Sequence, residues 1–474
     1  MKTAHCCLAL LFGAAAHAGT YAVGEVAIVE DTTGSIHNSM FLQSSFCQDA
    51  AKGLYAQFSD RYDGVVSFSS ETFNDLQNVQ QGTPVRQPTL GIGYATWNNG
   101  ASYGSAARLS QCVFMASLSK LPTNPDGPAT VLFGLPLGIT GIELLGHEYG
   151  HHWLLWVTFD KNDGKGKQDL LRGYAKSNDP SMPGAPNGHW SYHANSISPM
   201  YGSKITALGN GQYKFEGADR KYTELDQYLM GLRDKSEVGP MFALDDGSGH
   251  GSEAVPVKKG SSVNSTGTMT KVDFTIDDVI RAEGLRVPAF PNTQRCFRVA
   301  FVLVAGQGKT PSAADIAKVD AYRTRFEGWF STATDGRGTM DTRLNGAGCV
   351  VPPTDGGTID AGTADAGAPD AGAADAGAMM AADAGVADAG RPPTKGETQV
   401  EENNRLRAAG CGCSSGSGQG LGLVALAVLA VLRRSRRRRE PTQPARSSAP
   451  RPRLPTARAS GAPRASRAPG DRQR

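Results

Sequence analysis

The sequence predicts an α+β fold, and three observations carry that prediction. The first is a β-α-β opening. Residues 25–30 (Glu-Val-Ala-Ile-Val-Glu) form an apolar run of strand length. Residues 43–58 then place Phe46, Ala50, Leu54 and Phe58 at a helical period. Asp63-Gly64 leads into a second strand over 65–68. The second observation is an apolar strand at 296–304, followed by an amphipathic helix at 311–330 with Ile316, Val319, Tyr322, Phe326 and Trp329 on one face. The third is a helix over 138–157, apolar on both sides of residues 147–151, which read His-Glu-Tyr-Gly-His.

The intervening segments follow from composition. Residues 80–105 are rich in Gly, Pro, Thr and Asn and read as loop. Residues 110–118 read as a helix, and 173–220 as mostly irregular. A helix is expected over 222–232, ending near Gly231. A further α+β portion begins at 274–282.

The domain organisation is legible at both ends. Residues 1–18 carry Lys2, an apolar run from Cys6 to Ala16, and Ala16-His17-Ala18, the pattern of a secretory signal peptide. Residues 19–350 are long enough for a packed core and hold Cys47, Cys112, Cys296 and Cys349. An even count in an exported chain predicts two disulfides, and sequence proximity favours Cys47–Cys112 and Cys296–Cys349. Residues 351–409 repeat Asp-Ala-Gly, with Asp at 360, 365, 370, 375, 383 and 388, and lack any apolar period. Such a segment cannot bury enough surface to offset its ordering entropy, so it reads as a solvated stalk. Residues 410–439 combine Cys411-Gly412-Cys413, an apolar stretch and an Arg block, and 440–474 form a Pro/Ala/Arg-rich tail.

Charge is segregated. From Arg433 onward there are fourteen Arg against two acids, a net of +12, so the rest of the +3 chain carries −9. A polybasic run after an apolar segment orients a chain in a membrane. The remainder has no basic footprint, which excludes nucleic acid as an expected partner.

The chemistry rests on residues 147–151. With nine His in the chain, chance predicts on the order of 0.01 such strings. On a helix, His147 and His151 project from one face and can share a Zn²⁺ ion. Glu148 is offset by one position, where it can take a proton from a metal-activated water. A catalytic zinc needs a third protein ligand. Asp226, on the helix at 222–232, and His189, in the loop string Gly188–His193, compete for that place. Tyr228 and His193 are candidate donors to a tetrahedral oxyanion. His152 points about 100° away from His151 and reads as structural. Glu143, one turn before His147, either orients a ligand or is a solvated helix charge. A zinc-dependent peptidase acting on proteins or peptides is the expectation, with the chain acting as a monomer. A surface-displayed adhesive protein with a structural zinc, and a zinc amidase cleaving cell-wall bonds, are the alternatives.

Two resemblances extend this reading. The strings at 147–153 (His-Glu-Tyr-Gly-His-His-Trp), 189–191 (His-Trp-Ser), 198–202 (Ser-Pro-Met-Tyr-Gly) and 225–232 (Leu-Asp-Gln-Tyr-Leu-Met-Gly-Leu) resemble a class of secreted bacterial zincin-like metalloproteases. That resemblance implies a small sheet above an active-site helix, a mostly helical and irregular lower part, and Asp226 as the preferred third ligand. The end at 410–439 resembles MYXO-CTERM-type sorting signals, which implies processing near Cys411 and display at the outer cell surface.

Overall fold

The computed structural model describes residues 19–346 and Cys349, apart from 39–41, 75–77, 132–134, 155 and 176–184. The signal peptide, stalk, sorting segment and tail expected at 1–18, 351–409, 410–439 and 440–474 lie outside the described residues.

The chain is a mixed α/β structure with five α-helices and two seven-stranded sheets among the described residues. The first sheet contains β1 (Thr20–Val23), β2 (Val26–Glu30), β3 (Gly64–Ser69), β4 (Gln81–Pro84), β7 (Gln111–Ser117), β17 (Cys296–Ala305) and β18 (Thr339–Asp341). Its order is β1-β2-β17-β3-β7-β4, with β18 beside β17. Strands β2, β17, β3 and β7 run parallel, while β1 and β4 close the two edges antiparallel.

Helices cover both faces of this sheet. Alternate strand residues Val65, Phe114 and Val302 pack with α1 (Leu42–Tyr55) through Phe46, Ala50 and Leu54. Val66, Phe68 and Phe301 point the other way, into a larger core shared with α2 (Gly141–Gly150) and α5 (Ala313–Ala333). Each large side chain fully withdrawn from water contributes about 1.5–3 kcal/mol, so the two apolar faces dominate stability. The disulfide Cys47–Cys112 fastens α1 to β7, and Cys296–Cys349 ties the start of β17 to the end of the described chain, as proximity suggested.

This arrangement corrects the helix expected at 110–118. Residues 111–117 form β7, and all seven of them are buried. A strand covered on both faces shows no polar–apolar alternation, so its sequence looks like a buried helix. The loop expected at 80–105 likewise holds β4 and a small hairpin, β5 (Arg86–Gln87) with β6 (Trp97–Asn98). The helix expected over 138–157 is shorter. Its first residues belong to β9 (Leu135–Thr140), which pairs with β8 (Pro128–Val131), and helical structure stops at Gly150.

The largest difference lies in the lower part, expected to be mostly helical and irregular. It is built on a second sheet. Its strands are β10 (Arg172–Ala175), β11 (Ala185–Asn195), β12 (Tyr201–Gly209), β13 (Gln212–Glu216), β14 (Met241–Asp245), β15 (Ser262–Asn264) and β16 (Thr270–Phe274). The order is β15-β13-β12-β11-β14-β16, with β10 beside β11. Among the described residues there, the only α-helices are α3 (Glu224–Met230) and α4 (Ile276–Glu283). Helix α2 therefore has the first sheet on one side and the central strand β11 on the other.

Candidate metal centre

Helix α2 starts where its sequence dictates. Thr140 Oγ1 accepts the Glu143 N–H at 3.2 Å, and Glu143 Oε2 accepts the Thr140 N–H at 2.8 Å, a reciprocal capping box. Glu143 also accepts the Arg220 N–H at 2.9 Å. It is thus a capping residue and neither orients a ligand nor stands free in solvent. Two glycines set how closely the helix is packed. A Cβ on Gly146 would lie 2.0 Å from the Trp329 ring, and one on Gly150 would lie 2.5 Å from Met200 Sδ. Their absent side chains let α2 lie against α5 and on the 198–202 turn.

One helical turn brings His147 and His151 together, with ring centroids 4.9 Å apart and ring planes at 89°. Strand β11 supplies His189, whose ring lies 4.9 Å from His147 and 5.8 Å from His151. Each of the three offers a nitrogen, and these atoms all lie within 4.8 Å of one another. Two tautomers follow from the partners. His147 Nδ1 donates to the Pro199 carbonyl at 2.8 Å, which leaves the lone pair on Nε2. His189 Nδ1 is 2.9 Å from Glu253 Oε1 and donates to that carboxylate in the same way. Neither ring nitrogen of His151 makes a hydrogen bond, although the residue is only 2% exposed.

Burial dominates the electrostatics. It lowers the His147 pKa to about 3, aided by the neighbouring His189 ring and by Arg220. It also holds His151 well below the ordinary imidazole range, with His147 and His189 adding to the effect. Neutral imidazoles are the form that binds metals. Three buried imidazole nitrogens with no carboxylate among them suit Zn²⁺ or a similar divalent transition ion. Such an ion would satisfy one of the two orphaned His151 nitrogens. The structure thus carries a possible metal-binding triad of His147, His151 and His189, and it does not identify a metal.

Glu148 borders this triad. Its carboxylate is fully buried, and Oε2 lies 3.8 Å from His151 Nε2. The same oxygen accepts the Gly82 N–H at 2.6 Å. Gly82 belongs to the edge strand β4, and a Cβ there would lie 1.9 Å from the Glu148 carbonyl oxygen. That strand can approach the helix only through a glycine.

The remaining sequence candidates are elsewhere. Asp226, the preferred third ligand, is not in the triad. Its Oδ1 accepts Trp190 Nε1–H at 2.8 Å, and its Oδ2 accepts the Thr223 N–H at 2.7 Å and the Thr223 hydroxyl at 2.9 Å. It caps α3 and braces the neighbour of His189. Tyr228 packs in the main core, and its hydroxyl accepts the Arg286 N–H at 3.2 Å. His193 stands four residues along β11 from His189, about 13 Å at strand rise, with its ring 5.8 Å from Phe215. Neither joins the triad as an oxyanion donor. His152 is buried, packs its ring on Trp153 and accepts the Tyr94 hydroxyl at its carbonyl. Three contributors escaped the sequence reading. Glu253 comes from a segment 64 residues beyond His189. The Pro199 carbonyl is backbone and leaves no side-chain signal. Tyr201, at a φ of 81°, lays its ring 4.3 Å from His189 and 4.9 Å from His147.

A second chemically suggestive group sits at the ends of β2 and β3. His37 Nδ1 is 2.8 Å from Asp31 Oδ2 and its Nε2 is 3.0 Å from Ser69 Oγ, the connectivity of a hydrolytic triad. Ser69 has no exposed surface, however. The group is a buried polar strut that ties the loop after β2 to β3.

No family model, curated protein or solved structure matches the chain. Among the described residues, no helix is long and apolar enough to cross a membrane.

Proposed function

We propose that the protein is an exported zinc-dependent peptidase of zincin-like architecture in which His147, His151 and His189 hold the ion and Glu148 is the general base. One observation carries this reading: three buried imidazoles share a space next to a buried carboxylate, and only three protein ligands converge there among the described residues. Three ligands leave a coordination position for solvent or substrate, the arrangement of a catalytic zinc. When bound, the ion would supply Lewis acidity, lowering the pKa of water and polarising a carbonyl. Glu148 accepts the proton from the attacking water and returns it to the leaving amine. Gly82 N–H holds the Glu148 carboxylate in place. Export and anchoring at the cell surface rest on the sequence at 1–18 and 410–439.

A structural metal is the second reading, and one observation favours it. The three histidines are at most 3% exposed, and Glu148 is fully covered. Glu148→Gln separates the two. A peptidase variant keeps its zinc and loses about 10²–10⁴-fold in peptide hydrolysis. Equal hydrolysis by the two proteins, or none by the wild type with zinc bound, refutes the enzymatic assignment.

A further inference from the structure

The opposite side of α2 from the histidine triad borders a cavity of about 160 Å³. Its walls include His152 and Trp153 from the end of α2, Arg86 from β5, Arg286 from the loop after α4, and Asp63 before β3. At about 30 Å³ for a water in the liquid, it holds several waters or one compact ligand.

Its charge is unusual for a buried space. Arg286 is 5% exposed. Its guanidinium hydrogen-bonds only backbone carbonyls, those of Leu229 at 2.9 Å and of Pro288. Among the described residues it forms no ion pair with a carboxylate, and burial pulls its pKa down to about 10. Arg86 is half-buried, and its buried Nε has no hydrogen-bond partner among the described residues. The one acid in the wall, Asp63, is already engaged: Arg108 lies 2.9 Å from Oδ1, and the Arg298 N–H donates to Oδ2 at 2.8 Å. His152, 6% exposed, has an Nδ1 with no hydrogen-bond partner. Two guanidiniums and an orphaned ring nitrogen thus surround a space that offers no uncommitted negative charge. Leaving the buried Arg286 charge without a counter-charge is costly.

We propose that this cavity is a binding site for a small oxyanion, a phosphate or a carboxylate, held by Arg86, Arg286 and His152. Guanidinium forks match the paired oxygens of either group. The bound anion joins the β5 hairpin and the loop after α4 to the end of the helix that carries His147 and His151. The inference stands independently of any metal or hydrolysis.

The test uses the folded, metal-loaded protein titrated with inorganic phosphate and, separately, acetate. Sodium chloride at matched ionic strength is the control, and thermal stability and equilibrium dialysis are the readouts. The Arg86→Gln variant should fold normally, since the buried Arg86 Nε has no hydrogen-bond partner among the described residues to lose. The expected result is saturable binding of phosphate or acetate that raises the melting temperature, weakened about tenfold or more in Arg86→Gln. Arg286→Lys should weaken binding in the same direction, and it checks the site through a second residue. Binding of equal strength in wild type and Arg86→Gln would mean that the anion sits elsewhere, for example on the metal, and overturns the proposal. So would a response no larger than that to chloride.

Discussion

At the scale of single residues, the triad depends on partners that fix which nitrogen of each ring carries a lone pair. Glu253 does this for His189, and the Pro199 carbonyl does it for His147. Such partners hold ring orientation and raise ligand basicity. Glu253→Gln should therefore weaken zinc affinity about 10–100-fold while leaving one site per chain, measured by competition with a chromophoric chelator. Unchanged affinity would remove Glu253 from the site. Asp226 shows how a correct chemical class can be assigned the wrong role. A buried carboxylate on a helix can be a ligand, but Thr223-x-x-Asp226 is also a capping box, and the cap claims Oδ2 while Trp190 Nε1–H claims Oδ1. The sequence signal for the cap lay in the same four residues as the signal for the ligand.

At the scale of elements, what was legible is what is local. The histidine spacing on α2, the β-α-β opening and the amphipathic α5 all repeat at helix or strand periods within one window. Strand β7 was not legible, because a strand buried on both faces has no period to read. Strand β11 was missed for another reason. It contains Pro186, Gly188 and Asn195, residues that signal loops, and only pairing with β10, β12 and β14 holds it extended. His189 was therefore found as a candidate while its strand was not. The contact of β4 with α2 is also an element-scale device, and it makes a prediction. In Gly82→Ala, the added methyl must push β4 off the Glu148 carbonyl, taking the N–H away from the carboxylate. Overpacking of this kind costs about 1–3 kcal/mol. The variant should keep its zinc, melt at a lower temperature and lose peptide hydrolysis, and wild-type activity would deny Gly82 its positioning role.

At the scale of the whole molecule, the histidine triad lies between two sheets that are distant in sequence. The first sheet draws on both ends of residues 19–346, and the second is built entirely from 172–274. Pairings over such separations are set by the packing of whole faces, and no local pattern announces them. Burial of the histidines between the layers has a global consequence for the metal-free protein. His147 and His152 both have pKa values lowered from 6.5 to about 3 in the fold. The unfolded chain binds their protons below pH 6.5, and the folded chain does so only near pH 3. Stability is therefore full above pH 6.5 and falls as pH drops toward 3, by about 1.4 kcal/mol per pH unit for each ring. Urea unfolding of the metal-free protein at pH 7.5, 6.5 and 5.0 should show midpoints that decline only below pH 6.5. A flat profile would mean that the rings are not held neutral. The central claim, that three imidazoles hold one divalent ion, is tested most directly by the zinc-to-protein ratio of three proteins dialysed together. Wild type and Asp226→Asn should retain one zinc per chain and His189→Ala almost none. Zinc held equally by His189→Ala, or lost only from Asp226→Asn, would contradict the account.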